Sequence, residues 1–544
     1  MKSTTTSTLR YFSVAIAFII LLTTVVWLGK NQESEPPNDN TTAVQLRDVL
    51  VLTQTQVSSF DPLDAFHEGN IQVVKQIYET LTDIDENGAC VPLLAHRWET
   101  NDNRIWRFHL KPDVYFTSSL AFASKADRRL TAKDVVYSFE RLLAPESKSL
   151  GVAYFKAIAG FQSYRSGKTP RLLGVRALSA SIVEFELVKP NAGFHCVLSI
   201  PYASIVSQTI VTHFDEDFKL NPIGTGPFTL SIYTPDQKII LERKHNFRIN
   251  PDEPSKTTVE QVEILLTRDN NAAFAKFASG ASDFLVLDRA SLARLNHDSN
   301  LAPVNILSKP TAKLQLYLFN LKTLESSDVR RRIAAAIDRD SLQAILDDTG
   351  TIAESIFPPS IFPNLSGLHF SLTNNDAPKA EPTQIGGILR LVCFNDQVSR
   401  AIASRVANDL QKLGYEVKIE AATFPVLVER LTQGEYDLIQ IYWGPLYAEP
   451  AHFLTPFLSS QFPPEGNNFN QYSNSRFDAS VSAAEAAGTP QARTELFLKA
   501  QDILLDDMPL IPLYFENLLR ASNGKFLLPM HPLLYRRYSE ARPR

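Results

Sequence analysis

The sequence predicts an α/β protein built from two lobes, and three observations support this prediction. The chain has 544 residues, more than one hydrophobic core usually organises. A strand–helix–strand–helix–strand pattern from Ile388 to Trp443 is typical of a mostly parallel sheet. Hydrophobic residues make up 44% and charged residues 21%, as in ordinary globular proteins.

The charge and cysteine content argue against several classes of protein. The net charge of −5, from 54 basic and 59 acidic residues, gives no electrostatic basis for a nucleic-acid partner. The cysteines Cys90, Cys196 and Cys393 lie far apart, and no pair has metal-ligand spacing. We therefore interpret them as small buried apolar residues and expect no metal or cofactor.

The N-terminus carries an apolar run that predicts a membrane anchor. Tyr11 to Leu28 contains no charged residue, and as a helix it reaches about 27 Å, close to the thickness of a bilayer core. Lys2 and Arg10 precede the run and favour a cytoplasmic N-terminus with an exported body. We predict that residues 1–30 anchor the exported body to the membrane.

A cleaved signal peptide is the alternative, which would release the body into the periplasm. Signal peptides usually have a shorter apolar run that ends in small residues, whereas this run ends in Val25-Val26-Trp27-Leu28. The polar stretch 31–47 follows as a linker with little capacity to fold.

Periodicity and turn residues predict the elements of the first lobe. The helix at 70–81 has apolar residues at helical spacing, and Thr131 with Asp134 resembles a capping box that starts a second helix. The glycines of Ile223–Phe228 predict a tight entry into a strand. The other expected elements are strands at 48–53, 104–110, 238–243 and 262–266, two short strands within 172–187, and a helix at 271–279.

The second lobe is expected to start with the strand Leu314 to Asn320. Ser327 is expected to cap a helix over 328–347, and Ser399 one over 400–413. The remaining elements are strands at 388–394, 417–421 and 436–443, a helix at 425–431, and a helical region at 483–505 broken near Pro490. Met508 to Tyr514 then returns the chain to the first lobe.

Six sequence blocks, in order, resemble the bacterial extracellular solute-binding proteins of family 5. These blocks are PLLAHRWE (92–99), WRFHLKPDVYF (106–116), LTAKDVVYSFERL (130–142), IGTGPF with LERKHNF (223–228 and 241–247), DVRRRIAAAIDRDSL (328–342) and MPLIPLY (508–514).

This resemblance implies a two-lobed periplasmic-binding-protein-like fold of the large type II group, with a hinge between the lobes. It places the first lobe at 48–303, completed by 511–544, and the second at 304–510. It also implies a monomer that captures a small molecule or oligopeptide for the permease subunits of an ABC importer, without catalysing a reaction.

One segment departs from the peptide binders of the family. They carry a W-x-A-D-Y-x-D/E-P motif whose first Asp grips the terminal ammonium of the ligand. Here the segment Trp443–Pro450 keeps the aromatic residues, but Leu446 stands in place of that Asp. The ligand therefore stays open between a peptide, a nickel complex, an oligosaccharide or another solute.

The expected ligand contacts come from loops and strand ends. Trp443 and Tyr447 follow a strand of the predicted sheet, where open α/β proteins place ligands. The others rest on resemblance to family blocks and loops. The full set is Ser59, Phe60, Tyr154, Trp443, Tyr447, Asn470 and Tyr514.

Other chemical motifs fail on spacing. Gly167-Lys168-Thr169 lacks the glycine that a phosphate loop needs five residues before Gly167. His195 and Cys196 are interpreted as a satisfied core pair, and Arg330-Arg331-Arg332 as a solvated helix face. The missing Asp and the unusual N-terminus leave one alternative function: a membrane-tethered interaction or sensory protein that keeps the fold without transport.

Overall fold

The computed structural model describes residues 49–245, 247, 259–297, 304–366, 387–463, 466–533 and 537–544. The predicted anchor (1–30) and linker (31–47) lie outside these residues. Among the described helices, none is long and apolar enough to cross a membrane.

Nineteen strands are present in the described residues. They are β1 (Val49–Gln54), β2 (Thr82–Ile84), β3 (Cys90–Pro92), β4 (Ala95–Thr100), β5 (Ile105–Leu110), β6 (Val175–Ala177), β7 (Ile182–Glu186), β8 (Phe228–Thr234), β9 (Lys238–Arg243), β10 (Gln261–Leu266), β11 (Phe284–Val286), β12 (Asn305–Phe319), β13 (Gly350–Ile352), β14 (Gly387–Phe394), β15 (Tyr415–Ala422), β16 (Leu438–Trp443), β17 (Leu510–Ser522), β18 (Phe526–Leu527) and β19 (Arg542–Pro543).

Fourteen α-helices accompany them in the same residues. They are α1 (Glu68–Ile77), α2 (Ala132–Leu143), α3 (Phe161–Arg165), α4 (Phe194–Val197), α5 (Gln208–Phe214), α6 (Asn270–Ala278), α7 (Arg289–His297), α8 (Ser327–Ala336), α9 (Arg339–Leu346), α10 (Gln397–Gln411), α11 (Phe424–Gln433), α12 (Ala451–Leu454), α13 (Ser475–Ala486) and α14 (Pro490–Asp507).

The sheets divide the protein into two bodies, which confirms the predicted two-lobed α/β fold. Two four-stranded sheets, ordered β1-β10-β9-β8 and β4-β5-β7-β6, form the first lobe. A seven-stranded sheet with the order β11-β17-β12-β16-β14-β15, and with β13 paired to β17, joins the strands of the second lobe to β11 and to the returning strand β17. The strand at 238–243 has the predicted bounds, and most others agree within about three residues at each end.

The sheet of the second lobe is mixed, so the expectation of a mostly parallel sheet is wrong. Only β14 pairs in parallel, with β15 on one side and β16 on the other. β12 pairs antiparallel with both β16 and β17. The sequence pattern identified the β-α-β units correctly, but it held no information on how β12 and β17 would dock beside them.

The long strands β12 and β17 form one antiparallel pair with a break in the middle. Their register shifts between Pro310 and Leu314. On one side of the break, residues 517–522 of β17 pair with 305–310 of β12 and also with β11. On the other side, the second half of β12 pairs with both β17 and β16. Since Pro310 donates no ladder hydrogen bond, the interruption falls where proline is tolerated.

Two glycines position the start of β8 against helix α1. A Cβ atom on Gly224 would lie 2.1 Å from the Ile77 carbonyl oxygen, and one on Gly226 would lie 2.6 Å from that of Gln76. The Gly226 N–H instead donates to the Ile77 carbonyl at 2.8 Å. The predicted tight entry therefore reflects close backbone approach, which only glycine permits.

Helix boundaries follow their caps more closely than the apolar pattern. At α2, the Asp134 carboxylate accepts the Thr131 N–H at 2.8 Å, as the capping-box pattern predicted. The helix expected over 328–347 is divided into α8 and α9, because Asp338 caps the second helix by accepting the Ser341 N–H at 3.1 Å. Likewise Asp396, and not Ser399, caps α10.

Arg330 corrects another expectation. It is 5% exposed, and its guanidinium donates to the carbonyls of Met508 and Leu324 at 2.8 and 2.6 Å. The predicted solvated face is therefore wrong at this residue. Arg330 satisfies backbone acceptors that would otherwise be buried without partners.

The C-terminal segment packs against the beginning of the first lobe. The Asp83 carboxylate pairs with Lys75 Nζ at 2.8 Å and with Arg537 Nη2 at 2.9 Å. His531 Nε2 lies 2.9 Å from the Ile84 carbonyl, and the Tyr538 N–H donates to Gln76 Oε1 at 3.1 Å. Burial alone would raise the pKa of Asp83, but the charges of Lys75 and Arg537 hold it below its usual value.

We expect Asp83→Asn to lower the free energy of unfolding by about 3–5 kcal/mol at pH 7, because Lys75 would stay buried without its counter-ion. Since the pKa of Asp83 is lowered in the folded state, its contribution is present above about pH 4 and lost as the pH falls further. Chemical denaturation of both proteins at pH 7 and in acid measures this difference. If the difference in unfolding free energy between the two proteins is as large in acid as at pH 7, the role given to the Asp83 carboxylate is wrong.

Candidate functional site

A cleft opens between the lobes where the strands β14, β15 and β16 end. One part of it, about 470 Å³ in volume, is lined by the ends of β14 and β15 together with Lys313, Gln315, Tyr442 and Glu516. This edge of an open α/β sheet is the usual place for a ligand. The described geometry thus brings polar and aromatic groups to the expected edge of the second lobe.

The first lobe supplies the facing wall. A second part of the cleft, about 260 Å³, is lined by residues around the start of α1, including Phe66, Ile71 and Gln72. Its second-lobe side is formed by Tyr442 and the turn Gly444–Leu446. Lys313 and Tyr442 border both parts, so the two parts lie side by side at these residues.

A charged network forms the floor of this cleft. Lys313 Nζ lies 2.9 Å from Glu516 Oε1 and 4.3 Å from the centre of the Tyr442 ring. Gln315 Nε2 donates to the same Glu516 oxygen at 2.7 Å, and Gln440 Nε2 donates to Gln315 Oε1 at 3.1 Å. Lys313, Gln315 and Glu516 line the cleft and can meet polar groups of a ligand, while Gln440 holds Gln315 in place from the buried side.

An apolar cavity of about 260 Å³ adjoins the cleft inside the second lobe. Phe394, Phe424 and Tyr442 border both this cavity and the cleft. Leucines of β12 and α11 and aromatic residues near α12 line most of the rest, with Asn470 as a polar member of the wall. Its composition suits an apolar side chain or ring.

Leu446 lies on the cleft wall, at the position where the peptide binders of the family carry an aspartate. It is half-buried and packs against the main hydrophobic core. A carboxylate is present on the opposite wall, at Glu68, which is exposed at the start of α1. The second-lobe turn therefore offers the ligand an apolar contact where an ion pair would be expected.

The structure brings three predicted residues together around His452. Tyr154 from the first lobe lies 6.0 Å from the ring of Tyr447 and 6.4 Å from that of His452. Trp443 lies 5.4 Å from the His452 ring, and its indole N–H donates to the His452 carbonyl at 3.1 Å. Burial raises the pKa of Tyr154 to about 12 and lowers that of His452 to about 4, so both are neutral near pH 7.

The other predicted contacts lie elsewhere. Ser59 is buried and donates to Asp64 at 2.7 Å, and Phe60 is fully buried against Tyr233, with ring centres 5.0 Å apart. Asn470 lines the apolar cavity and donates to the Pro509 carbonyl at 3.0 Å. Tyr514 is buried in the hydrophobic cluster that β17 shares with β12, α8 and β14, and burial raises its pKa.

A tight contact joins the lobes beside the aromatic cluster. The Ala192 N–H donates to the Glu485 carbonyl at 2.8 Å, and Asn103 Nδ2 donates to the Ala487 carbonyl at 3.1 Å. Gly193 faces the buried Glu449 carboxylate, which pairs with Arg493. Burial, and then the charge of Glu449, raises the pKa of Glu485 to about 7.

Several residues of this site escaped the sequence prediction, among them Lys313, Tyr442, His452 and Glu516. Tyr442 is the strand neighbour of the predicted Trp443 and points to the opposite face of the sheet. The sequence therefore offered Tyr442 as a candidate, because either face can border a cleft at the end of the strand. His452 follows the Trp443–Pro450 segment by two residues. Lys313 and Glu516 lie on separate strands, and nothing local in the sequence indicates that they meet.

Known proteins resemble this chain over almost its whole length. The family model described as "Bacterial extracellular solute-binding proteins, family 5 Middle" matches residues 89–463. The periplasmic murein peptide-binding protein MppA of Escherichia coli (strain K12) is 25% identical over 538 residues, which covers 95% of each chain. The peptide transport periplasmic protein SapA of Salmonella typhimurium is 27% identical over 511 residues, covering 89% of this chain and 90% of the relative.

Solved structures show the same fold. The unliganded open form of MppA has a TM-score of 0.75 at 25% identity and covers 92% of this chain and 98% of its own. HbpA2 from Haemophilus parasuis, at 21% identity, has a TM-score of 0.74 and covers 91% of this chain and all of its own (100%). As the sequence blocks predicted, the chain belongs to the bacterial extracellular solute-binding proteins of family 5 and is a solute-binding protein of the ABC-importer type.

Proposed function

We propose that this protein captures a peptide in the cleft between its lobes and presents it to the permease of an ABC importer. The observation that carries the proposal is the pair of adjoining cavities at Lys313 and Tyr442, of which one is lined by both lobes. The relatives MppA and SapA are peptide-binding and peptide-transport proteins by name, which supports the choice of a peptide. Fixed hydrogen-bonding groups on the cleft floor suit the polar backbone of such a ligand.

The lobes would close by bending at the break in the β12–β17 pair. We place the first lobe at 48–303 with 511–544, and the second at 304–510. The register shift between Pro310 and Leu314 supports a hinge there, because it interrupts the ladder between the lobes. Lys313 adjoins the break, so bending would also move a residue of the cleft floor.

The class of peptide follows from Leu446. A terminal ammonium buried against this side chain would lose its hydration, and Leu446 supplies no counter-ion; the Glu68 carboxylate lies on the opposite wall. We therefore propose a peptide that presents no free ammonium at this wall, such as one with a blocked N-terminus. Its apolar side chain would enter the cavity beside Phe394 and Phe424.

Pairs of short peptides with free and acetylated N-termini test this proposal. We expect a thermal shift that saturates with concentration, larger for the acetylated member of each pair, because ligand binding stabilises only the folded state. Isothermal titration then gives the affinities. If no peptide of either kind binds, the peptide proposal fails; if the free peptides bind tenfold more tightly, only the blocked-terminus proposal fails.

Leu446→Asp should reverse the preference between the members of each pair. A carboxylate at this wall would gain a charge-assisted hydrogen bond with a terminal ammonium, contributing about 1.5–3 kcal/mol or roughly tenfold or more in affinity. Leu446→Asn is the matched control, since it has nearly the same shape as aspartate but no charge. An equal gain with Asn would show that polarity, and not charge, causes the change.

Gly193→Ala should weaken ligand binding by obstructing the contact between the lobes. An added Cβ would lie 2.1 Å from the Glu449 carboxylate, which is buried and paired with Arg493. The backbone at Gly193 has φ −93°, so alanine causes no backbone strain and the effect is steric. We expect a cost of about 1–3 kcal/mol, or 5- to 150-fold in Kd, by titration.

Gly488→Ala is the control for this substitution. It lies in the same region, and no atom stands within 4 Å of its added Cβ. We expect its affinity to match that of the native protein. An unchanged affinity in Gly193→Ala would show that this contact has no part in closure.

We further propose that residues 1–30 anchor the protein to the inner membrane, with the binding body in the periplasm on the linker 31–47. The charge-free run Tyr11–Leu28 is long enough for a bilayer core, and its end lacks a good cleavage site. Membrane fractionation with alkaline carbonate should leave the full chain in the membrane pellet. Mass spectrometry that finds a mature N-terminus after residue 28 would establish the cleaved form instead.

A further inference from the structure

Three side chains that the solute cleft does not use converge in the first lobe. Cys90, His195 and Cys196 each offer one donor atom, and these atoms all lie within 4.8 Å of one another. Cys90 begins β3, while His195 and Cys196 belong to the short helix α4. The Thr82 hydroxyl on β2 donates to the His195 carbonyl at 2.6 Å, which ties the β2–β3 hairpin to this helix.

The imidazole of His195 is held between two tryptophan rings, and one of its two nitrogens lacks a hydrogen-bond partner. Its ring lies 5.2 Å from that of Trp98 and 5.3 Å from that of Trp106, nearly parallel to both. Nδ1 is buried and has no hydrogen-bond partner, so the interpretation of His195 and Cys196 as a satisfied core pair is wrong at this atom. A buried polar atom without a partner costs free energy that a ligand can recover.

The donor set has the chemistry of a site for a soft cation. Two thiolates and one imidazole bind Zn²⁺ with bonds of about 2.3 and 2.0 Å, which places donors around a tetrahedral ion roughly 3.5–3.8 Å apart. The observed limit of 4.8 Å leaves only about 1 Å of closing movement. A shell of tryptophans would exclude water from one side of such a site.

We propose that Cys90, His195 and Cys196 bind one Zn²⁺ ion, at a site separate from the solute cleft. Binding would release the thiol protons and join the β2–β3 hairpin to α4 through metal bonds. The site lies beside the contact between the lobes, because Gly193, two residues before His195, faces Glu449 of the second lobe.

Titration of the reduced full chain with Zn²⁺ alone, in competition with a chromophoric chelator, tests the proposal. We expect one ion per chain. With Co²⁺ as the probe, we expect a thiolate-to-metal absorption band. Cys90→Ser and Cys196→Ser should each lower the Zn²⁺ affinity by more than about 100-fold, beyond the usual cost of losing an outer-shell partner.

Cys393→Ser is the matched control, since Cys393 is buried on β14 in the second lobe. It should retain both the affinity and the absorption band. Thermal melting of each metal-free variant shows whether the variant still folds, and so separates loss of folding from loss of the site. The variant His195→Gln, titrated in the same way, tests the third donor. The proposal is overturned if the reduced protein does not bind one Zn²⁺ ion per chain. It is also overturned if the folded Cys90→Ser or His195→Gln variant binds as tightly as Cys393→Ser.

Discussion

The antiparallel pair of β12 and β17 is the constraint on which the rest of the structure depends. The chain enters the second lobe along β12 and leaves it along β17, so these strands fix where the seven-stranded sheet sits. Lys313 and Glu516, which form the cleft floor, lie on the same two strands near the interruption of their ladder. The element that joins the lobes thus also carries groups that a solute would meet.

The site combines a rigid polar floor with apolar walls. Hydrogen bonds hold Gln315 and Glu516 in place, while Leu446 and the adjoining cavity present carbon surface. Such a division separates two tasks: polar groups orient a ligand, and apolar surface supplies most of the burial. The buried charges at the lobe contact, Glu449 and Arg493, neutralise each other and are not offered to the ligand.

The sequence predicted elements whose signals are local. The strand at 238–243 and the Thr131–Asp134 cap were found because a few neighbouring residues determine them. The break at Asp338 was missed because the apolar period continues through it, and the cap decided the boundary. Mixed pairing in the second sheet was missed because strand direction is set by long-range docking.

The candidate site was predictable only in part, for a related reason. The motif around Trp443 located Trp443 and Tyr447, which lie together with Tyr154 around His452. Aromatic residues suit a cavity wall and a hydrophobic core equally, so the pattern did not separate Phe60 and Tyr514 from them. The convergence of Cys90 with His195 was not visible because residues more than about a hundred positions apart meet only in the folded chain.

The pairing of Asp83 with Arg537 makes the first lobe depend on two segments that lie at opposite ends of the described chain. The first lobe cannot complete its buried charge cluster until the last residues of the chain have been synthesised. A lone Lys75–Asp83 pair, with His531 and Tyr538 still absent, leaves that surface open to water. A chain that lacked this last segment would therefore leave the first lobe without part of its buried charge cluster.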